Sequence, residues 1–434
     1  MGEQIERVLF TEDMKKTHTI LIPDMLPRHF KLITALMRNY GYNMELLQNN
    51  GAGVTENGLK YVHNDSCYPA QLVIGQFLDA IQSGKYDPKK VALLLTQTGG
   101  GCRASNYISL LRKALARAGY GYVPIISLNF SGLESNPGFK ITMPILRRLV
   151  YAILYGDLMM RLVNQCRPYE IVKGSADELA DKWTSKIARS LVDAKIVRYK
   201  NVREDFYSIV KDFSELPCIR TPKTRVGIVG EIYVKFSPLG NNRLEDFLVE
   251  ENCEPVLAGL IDFVMYCVYN SIADYKLYRR GAMTKSIYSV VYKYLLKKQH
   301  HISEALTSTG VFRGFCDFDH TRSLIDGYLG IGMKMGEGWL LTAEMLELID
   351  DGVNNIVCVQ PFGCLPNHIA GRGVIHKIKE AHPEANIAAI DYDPSTSPVN
   401  QHNRIKLMLS NMESVASAPQ EIEKTERAAS PARR

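Results

Sequence analysis

Residues 91–128 read VALLLTQTGGGCRASNYISLLRKALARAGYGYVPIISL. Residues 91–96 are an unbroken apolar run, short enough for a strand buried on both faces. From residue 103 the period changes. Ile108, Leu111 and Leu115 fall on one face of a helix that ends near residue 118. Residues 123–128 (VPIISL) then return to a strand pattern. Two buried strands joined by a helix make a parallel crossover, and a parallel sheet needs helices on both sides.

The same alternation extends in both directions. Upstream, residues 18–22 (HTILI) and 42–47 suit strands, and 60–63 suits a short one. Residues 28–38 and 69–82 carry helical spacing. Residues 139–213 show no clear strand, while 145–166 and 176–192 read as helices with Trp183 buried. Strand patterns resume at 225–229, 355–359 and 386–390. Residues 254–258 suit a strand or the opening of the helix running through Tyr266. Residues 283–298 predict an amphipathic helix with Lys and Tyr on its wet face. Helices are also expected at 367–381 and 400–410. The resulting division is an α/β domain at 1–138, a helical connector at 139–222 and a second α/β domain at 223–411. The tail 412–434, rich in Ala, Ser, Glu and Arg, is expected to be disordered. The two α/β segments predict a likeness of architecture, although no sequence repeat of fixed period occurs.

The chain has 434 residues, with 46% hydrophobic and 23% charged. That balance belongs to a soluble globular protein. The net charge of +6 is dispersed, so nucleic acid is not an expected partner. No run of 18 apolar residues lacks a charge, so no membrane span is expected either. No leader pattern begins the chain, which predicts a cytoplasmic protein. In that compartment the nine cysteines stay reduced. They are then packing thiols, reactive thiols or metal ligands.

Three of them share a setting. Cys67, Cys102 and Cys364 each follow small or flexible residues and each precede a predicted helix. A helix N-terminus carries partial positive charge and unpaired N–H groups, which favour a thiolate or an anionic cluster. Three thiolates from three loops would hold an iron–sulfur cluster and leave one iron open. Ordinary burial near turns explains the same residues. No CxxC pair occurs, so a zinc ribbon or ferredoxin-type run is excluded. Cys316 sits in a loop and remains open as a fourth ligand, whereas Cys166, Cys218, Cys253, Cys267 and Cys358 read as structural. The glycines at 99–101, 227, 230, 330, 332 and 336 lack the spacing of a nucleotide loop. His300 and His301 read as a solvated helix end. Asp317, Asp319 and His320 suit either a metal or a polar loop.

Residues 66–70 (SCYPA), 101–107 (GCRASNY) and 361–368 (PFGCLPNH) resemble the 2-hydroxyacyl-CoA dehydratase superfamily. So do 226–239 (VGIVGEIYVKFSPL), 336–340 (GEGWL) and 390–394 (IDYDP). More narrowly, these motifs resemble the dehydratase-like region that ends the large acyl-CoA dehydratase activase-related proteins of anaerobes. The resemblance implies two Rossmann-like parallel-sheet domains with an iron–sulfur cluster between them. It puts Cys67, Cys102 and Cys364 on that cluster, a [4Fe–4S] or a double-cubane [8Fe–9S]. It implies a partner, an actin-like-fold ATPase with its own cluster, that delivers a low-potential electron. It also implies reductive radical chemistry such as dehydration of a 2-hydroxyacyl-CoA, in a homo- or heterodimer. Two alternatives share the cluster: a reductase of another small molecule, or an electron relay without its own substrate. Within this picture Glu231 is a candidate for proton transfer, Arg103 for charge balance and His368 for packing near Cys364.

Overall fold

The structure, a computed structural model, describes residues 6–97, 101–128, 134–193 and 197–417. It contains two four-stranded sheets, parallel throughout. The first comprises β1 (Thr19–Ile22), β2 (Met44–Leu46), β3 (Val91–Thr96) and β4 (Ile125–Leu128), in the order β2-β1-β3-β4. The second comprises β5 (Arg225–Gly230), β6 (Glu254–Val256), β7 (Asn355–Pro361) and β8 (Asn386–Tyr392), in the order β6-β5-β7-β8. The two orders are equivalent strand for strand, so the expected likeness of architecture is present. Central β7 is buried along all seven residues, as a parallel strand covered on both faces must be.

The halves are not independent. One core runs from Leu21, Leu93 and Ile108 to Ile228, Val359 and Ile390. Helix Tyr68–Gln82 lies within it and is buried almost all round, which is why its sequence is apolar on every face. Main-chain bonds cross between the halves, from Leu26 N–H to Phe236 O at 3.1 Å and from Tyr68 N–H to Phe362 O at 3.0 Å.

The segment 139–222 is helical, as expected: Met143–Cys166, Ser175–Asp193 and Tyr199–Ser214. It shares a second core with helices Leu260–Tyr278 and Ala282–Thr307. Trp183 is buried there and donates to Asp212 at 2.9 Å.

Several expectations change. Residues 60–63 are not a strand; they end helix Ala52–Tyr61, which packs on Tyr68–Gln82. Cys67 therefore lies between two helices rather than past a strand. Residues 254–258 divide, with β6 first and a helix from Leu260. Helix Trp339–Asp350 is absent from the sequence reading because ten of its residues are buried, leaving no polar face to mark the period. The last helix, Pro398–Ser417, runs into the tail expected to be disordered. The remainder of that tail, 418–434, lies outside the described residues, as do 98–100 of the glycine loop. Among the described residues, no helix is long and apolar enough to cross a membrane.

Candidate functional site

In each sheet the chain turns one way after the first strand and the other way after the third. Ligands bind at the carboxyl ends of strands around such a reversal. Cys102 follows β3 and Cys364 follows β7, equivalent places in the two halves. Glu231 follows β5 directly. Cys67 joins them from the first turn of Tyr68–Gln82, where it is the N-cap residue.

Backbone contacts bring these loops together. The Tyr68–Phe362 bond ties the start of the Cys67 helix to the turn before Cys364. Gly363 in that turn has φ +69°, and a Cβ there would stand 3.1 Å from Cys67 Cα. Gly336, at φ +57°, lies between Pro366 and Cys102; its Cβ would stand 3.0 Å from Pro366 Cγ and 3.6 Å from Cys102 Sγ. Tyr107 opens the helix beyond Cys102, and its hydroxyl lies 2.9 Å from Cys67 Sγ. Arg103 places positive charge near Cys67.

The electrostatics overturn one expectation. Helix N-termini were expected to lower the cysteine pKa values. All three are raised, with burial the largest cause. Cys102 is pushed up to about 11, with Glu337, Glu231 and Cys67 adding to burial. Cys364 lies well above its ordinary value, again with Cys67 contributing. The Ala70, Ala104 and Asn367 amides pull in the opposite direction and lose. For Cys67 and Cys102 they do not close a full capping bond. The bare thiols keep their protons at neutral pH, and only added positive charge would hold them as thiolates.

Two enclosed carboxyls adjoin the thiols. Glu231 caps helix Ile232–Phe236 and accepts from Val234 N–H at 2.9 Å. Glu337 accepts from Ile232 N–H at 3.1 Å. Burial, then Glu337, pushes Glu231 up to about 8. Burial also raises Glu337. Lys235, from the same short helix, pairs with buried Glu344 at 2.8 and 3.0 Å. Phe362, Leu365 and Ile369, close to Cys364 in the chain, are exposed apolar side chains.

The structure places Cys316 elsewhere. It lines a separate cavity of about 390 Å³ with Gln299, His300 and Asp317. Glu347, Thr321, Asp262 and Asp317 act on it, whereas Glu231 acts on all three triad cysteines. Cys253 and Cys358 are buried, and Cys166 interacts with Cys218. Cys267 differs in being exposed, and neighbouring Glu337 helps to raise its pKa. Glu337 was missed as a site residue; the two glycines flanking it were its local signal.

His368 holds the turn, its Nδ1 2.7 Å from Cys364 O and 2.8 Å from Gln360 Nε2. Asp317 caps helix Phe318–Ser323 and pairs with His300; His320 pairs with Asp350 at 2.8 Å. Among the described residues, no three His, Cys, Asp or Glu side chains are arranged around a single metal ion. Cluster thiolates bind different irons, so they stand around a volume rather than a point. Three enclosed thiols, amide groups aimed at them, the Tyr107 hydroxyl and nearby Arg103 are a donor set that fits a polynuclear, sulfur-rich group.

Neither a protein-family model nor a curated protein matches the chain.

Proposed function

We propose that the chain is an iron–sulfur protein of the 2-hydroxyacyl-CoA dehydratase type. Cys67, Cys102 and Cys364 would hold a [4Fe–4S] cluster and leave one iron without a protein ligand. The observation that supports this reading is that two buried cysteines, Cys67 and Cys364, and the half-buried Cys102 come from three separate segments and all act electrostatically with Glu231, with Glu337 also acting on Cys102 and Cys364. When bound, such a cluster supplies single low-potential electrons for reductive chemistry such as dehydration of a 2-hydroxyacyl-CoA. The electron donor is an ATP-dependent activator ATPase with a cluster of its own.

The chain's own residues have defined parts. The Tyr107 hydroxyl is hydrogen-bonded to Cys67 Sγ and would donate to it once the sulfur is a thiolate. The Ala70, Ala104 and Asn367 amides face the three sulfurs and favour their anionic form once positive charge is present. Glu231, with Glu337 beside it, keeps a proton near neutral pH, the range a proton donor to a leaving hydroxide requires. The Lys235–Glu344 pair anchors the short helix that presents Glu231.

Anaerobic reconstitution with iron and sulfide, followed by metal analysis and EPR of the reduced protein, tests the reading. About four irons per chain are expected. Cys67→Ala, Cys102→Ala and Cys364→Ala should each remove the cluster, and Cys253→Ala should keep it. Less than about one iron per chain would end the cluster assignment. Equal damage from Cys253→Ala would end the ligand assignment. Turnover of a 2-hydroxyacyl-CoA with the ATPase, ATP and a reductant separates an enzyme from an electron relay.

A further inference from the structure

Helix Ala282–Thr307 bears an apolar stripe on its solvent face. Met283, Ile287, Val290 and Tyr294 are 78%, 56%, 70% and 40% exposed, with Val291 beside them at 40%. None of residues 282–291 is buried. The second half of the helix buries Tyr292, Leu295, Ile302 and Leu306 in the helical core. The first half therefore lies at the surface, with Tyr288 packed on the helical core, and its wet face carries apolar residues besides Lys and Tyr. Exposed apolar rows of this kind mark contact surfaces. The spacing of four, three and four residues is that of a helix-packing seam, with β-branched Ile and Val on it.

The charge around the stripe selects the occupant. Residues 275–303 contain no Asp or Glu. They do contain Arg279, Arg280, Lys285, Lys293 and Lys297, all solvent-accessible. A second copy of this chain would set these cations against themselves, which is unfavourable across an interface. The stretch contains no Trp or Phe, the residues that anchor an amphipathic helix in a bilayer. We propose that this stripe docks an amphipathic helix of a different protein, one whose apolar seam is flanked by carboxylates. The surface adjoins the loop that reaches the cysteines. Asp274 pairs with Lys334, Leu277 lies beside Gly332, and the loop continues through Met335 to Gly336 next to Cys102. A partner seated here would stand beside that loop. The inference is independent of whether a cluster is bound.

The full chain is titrated with a fluorescent helical peptide of about four heptads, Leu at the seam positions and Glu beside them. The control peptide carries Lys in place of Glu. Saturable binding of the Glu peptide alone is expected. It should weaken about tenfold or more in Ile287→Glu/Val290→Glu, and similarly in Lys285→Glu/Lys293→Glu or at about 0.5 M salt. These exposed substitutions should leave thermal unfolding unchanged, so loss of binding is not loss of fold. Absence of binding, or equal binding of both peptides, overturns the proposal. So does a dimer of this chain that Ile287→Glu dissociates. So does co-sedimentation with vesicles of about 70:30 phosphatidylcholine and phosphatidylserine that the same change abolishes.

Discussion

Gly363 shows how little space separates the loops of the site. Its φ of +69° is a left-handed conformation, and a Cβ would crowd Cys67 Cα at 3.1 Å. Gly363→Ala should cost about 1–3 kcal/mol of stability, read by urea unfolding, and should lower iron retention. Glu231 makes a sharper test because its effect has a sign. Burial raises it from 4.5 to about 8. Between those values the native protein holds a proton that the unfolded chain has lost, so stability falls as pH rises through that window. Glu231→Gln removes the ionisation. Unfolding free energies at pH 5.5 and 8 should therefore differ less in the variant than in the wild type, by on the order of a few kcal/mol. An unchanged pH slope would show that Glu231 is ionised in the native protein at neutral pH.

At the scale of elements, the short helix Ile232–Phe236 is held from two sides. Glu231 and Glu337 accept its first N–H groups, and Lys235 reaches buried Glu344. A buried pair breaks expensively when one partner is removed, because the other charge is left without compensation. Lys235→Met should destabilise the protein by about 3–5 kcal/mol, and Lys235→Met/Glu344→Leu should recover most of that loss. Urea midpoints of the two variants decide the point. The strands were legible in the sequence because β3 and β7 are buried along nearly their whole length and carry unbroken apolar runs at 91–95 and 356–359. Helix Trp339–Asp350 was not legible for the same physical reason, since uniform burial erases the helical period. The sequence could not show that Met283, Ile287 and Val290 of Ala282–Thr307 are left exposed.

For the whole molecule, the two sheets share one core, and main-chain bonds join them. Helices of the 139–222 segment pack with helices from the second half. Such coupling predicts one cooperative transition rather than stepwise loss of two α/β units and a connector. Both tryptophans, Trp183 and Trp339, lie in the helical core, whereas far-UV circular dichroism reports the entire backbone. Fluorescence and dichroism midpoints in urea should therefore coincide. Separated midpoints would show that the sheets and the helical layer unfold independently.

Local pattern was enough for the parallel α/β class, the helical middle segment and the common setting of Cys67, Cys102 and Cys364. Strand burial and helix starts leave their mark within a few residues of sequence. The approach of those cysteines, the exclusion of Cys316 from their surroundings and the pairing of Glu231 with Glu337 were decided by tertiary structure. So was the direction of the thiol pKa shifts. Helix amides are local and could be read in advance. Desolvation depends on everything that packs around a group, including segments hundreds of residues away, and at these three thiols it is the larger effect.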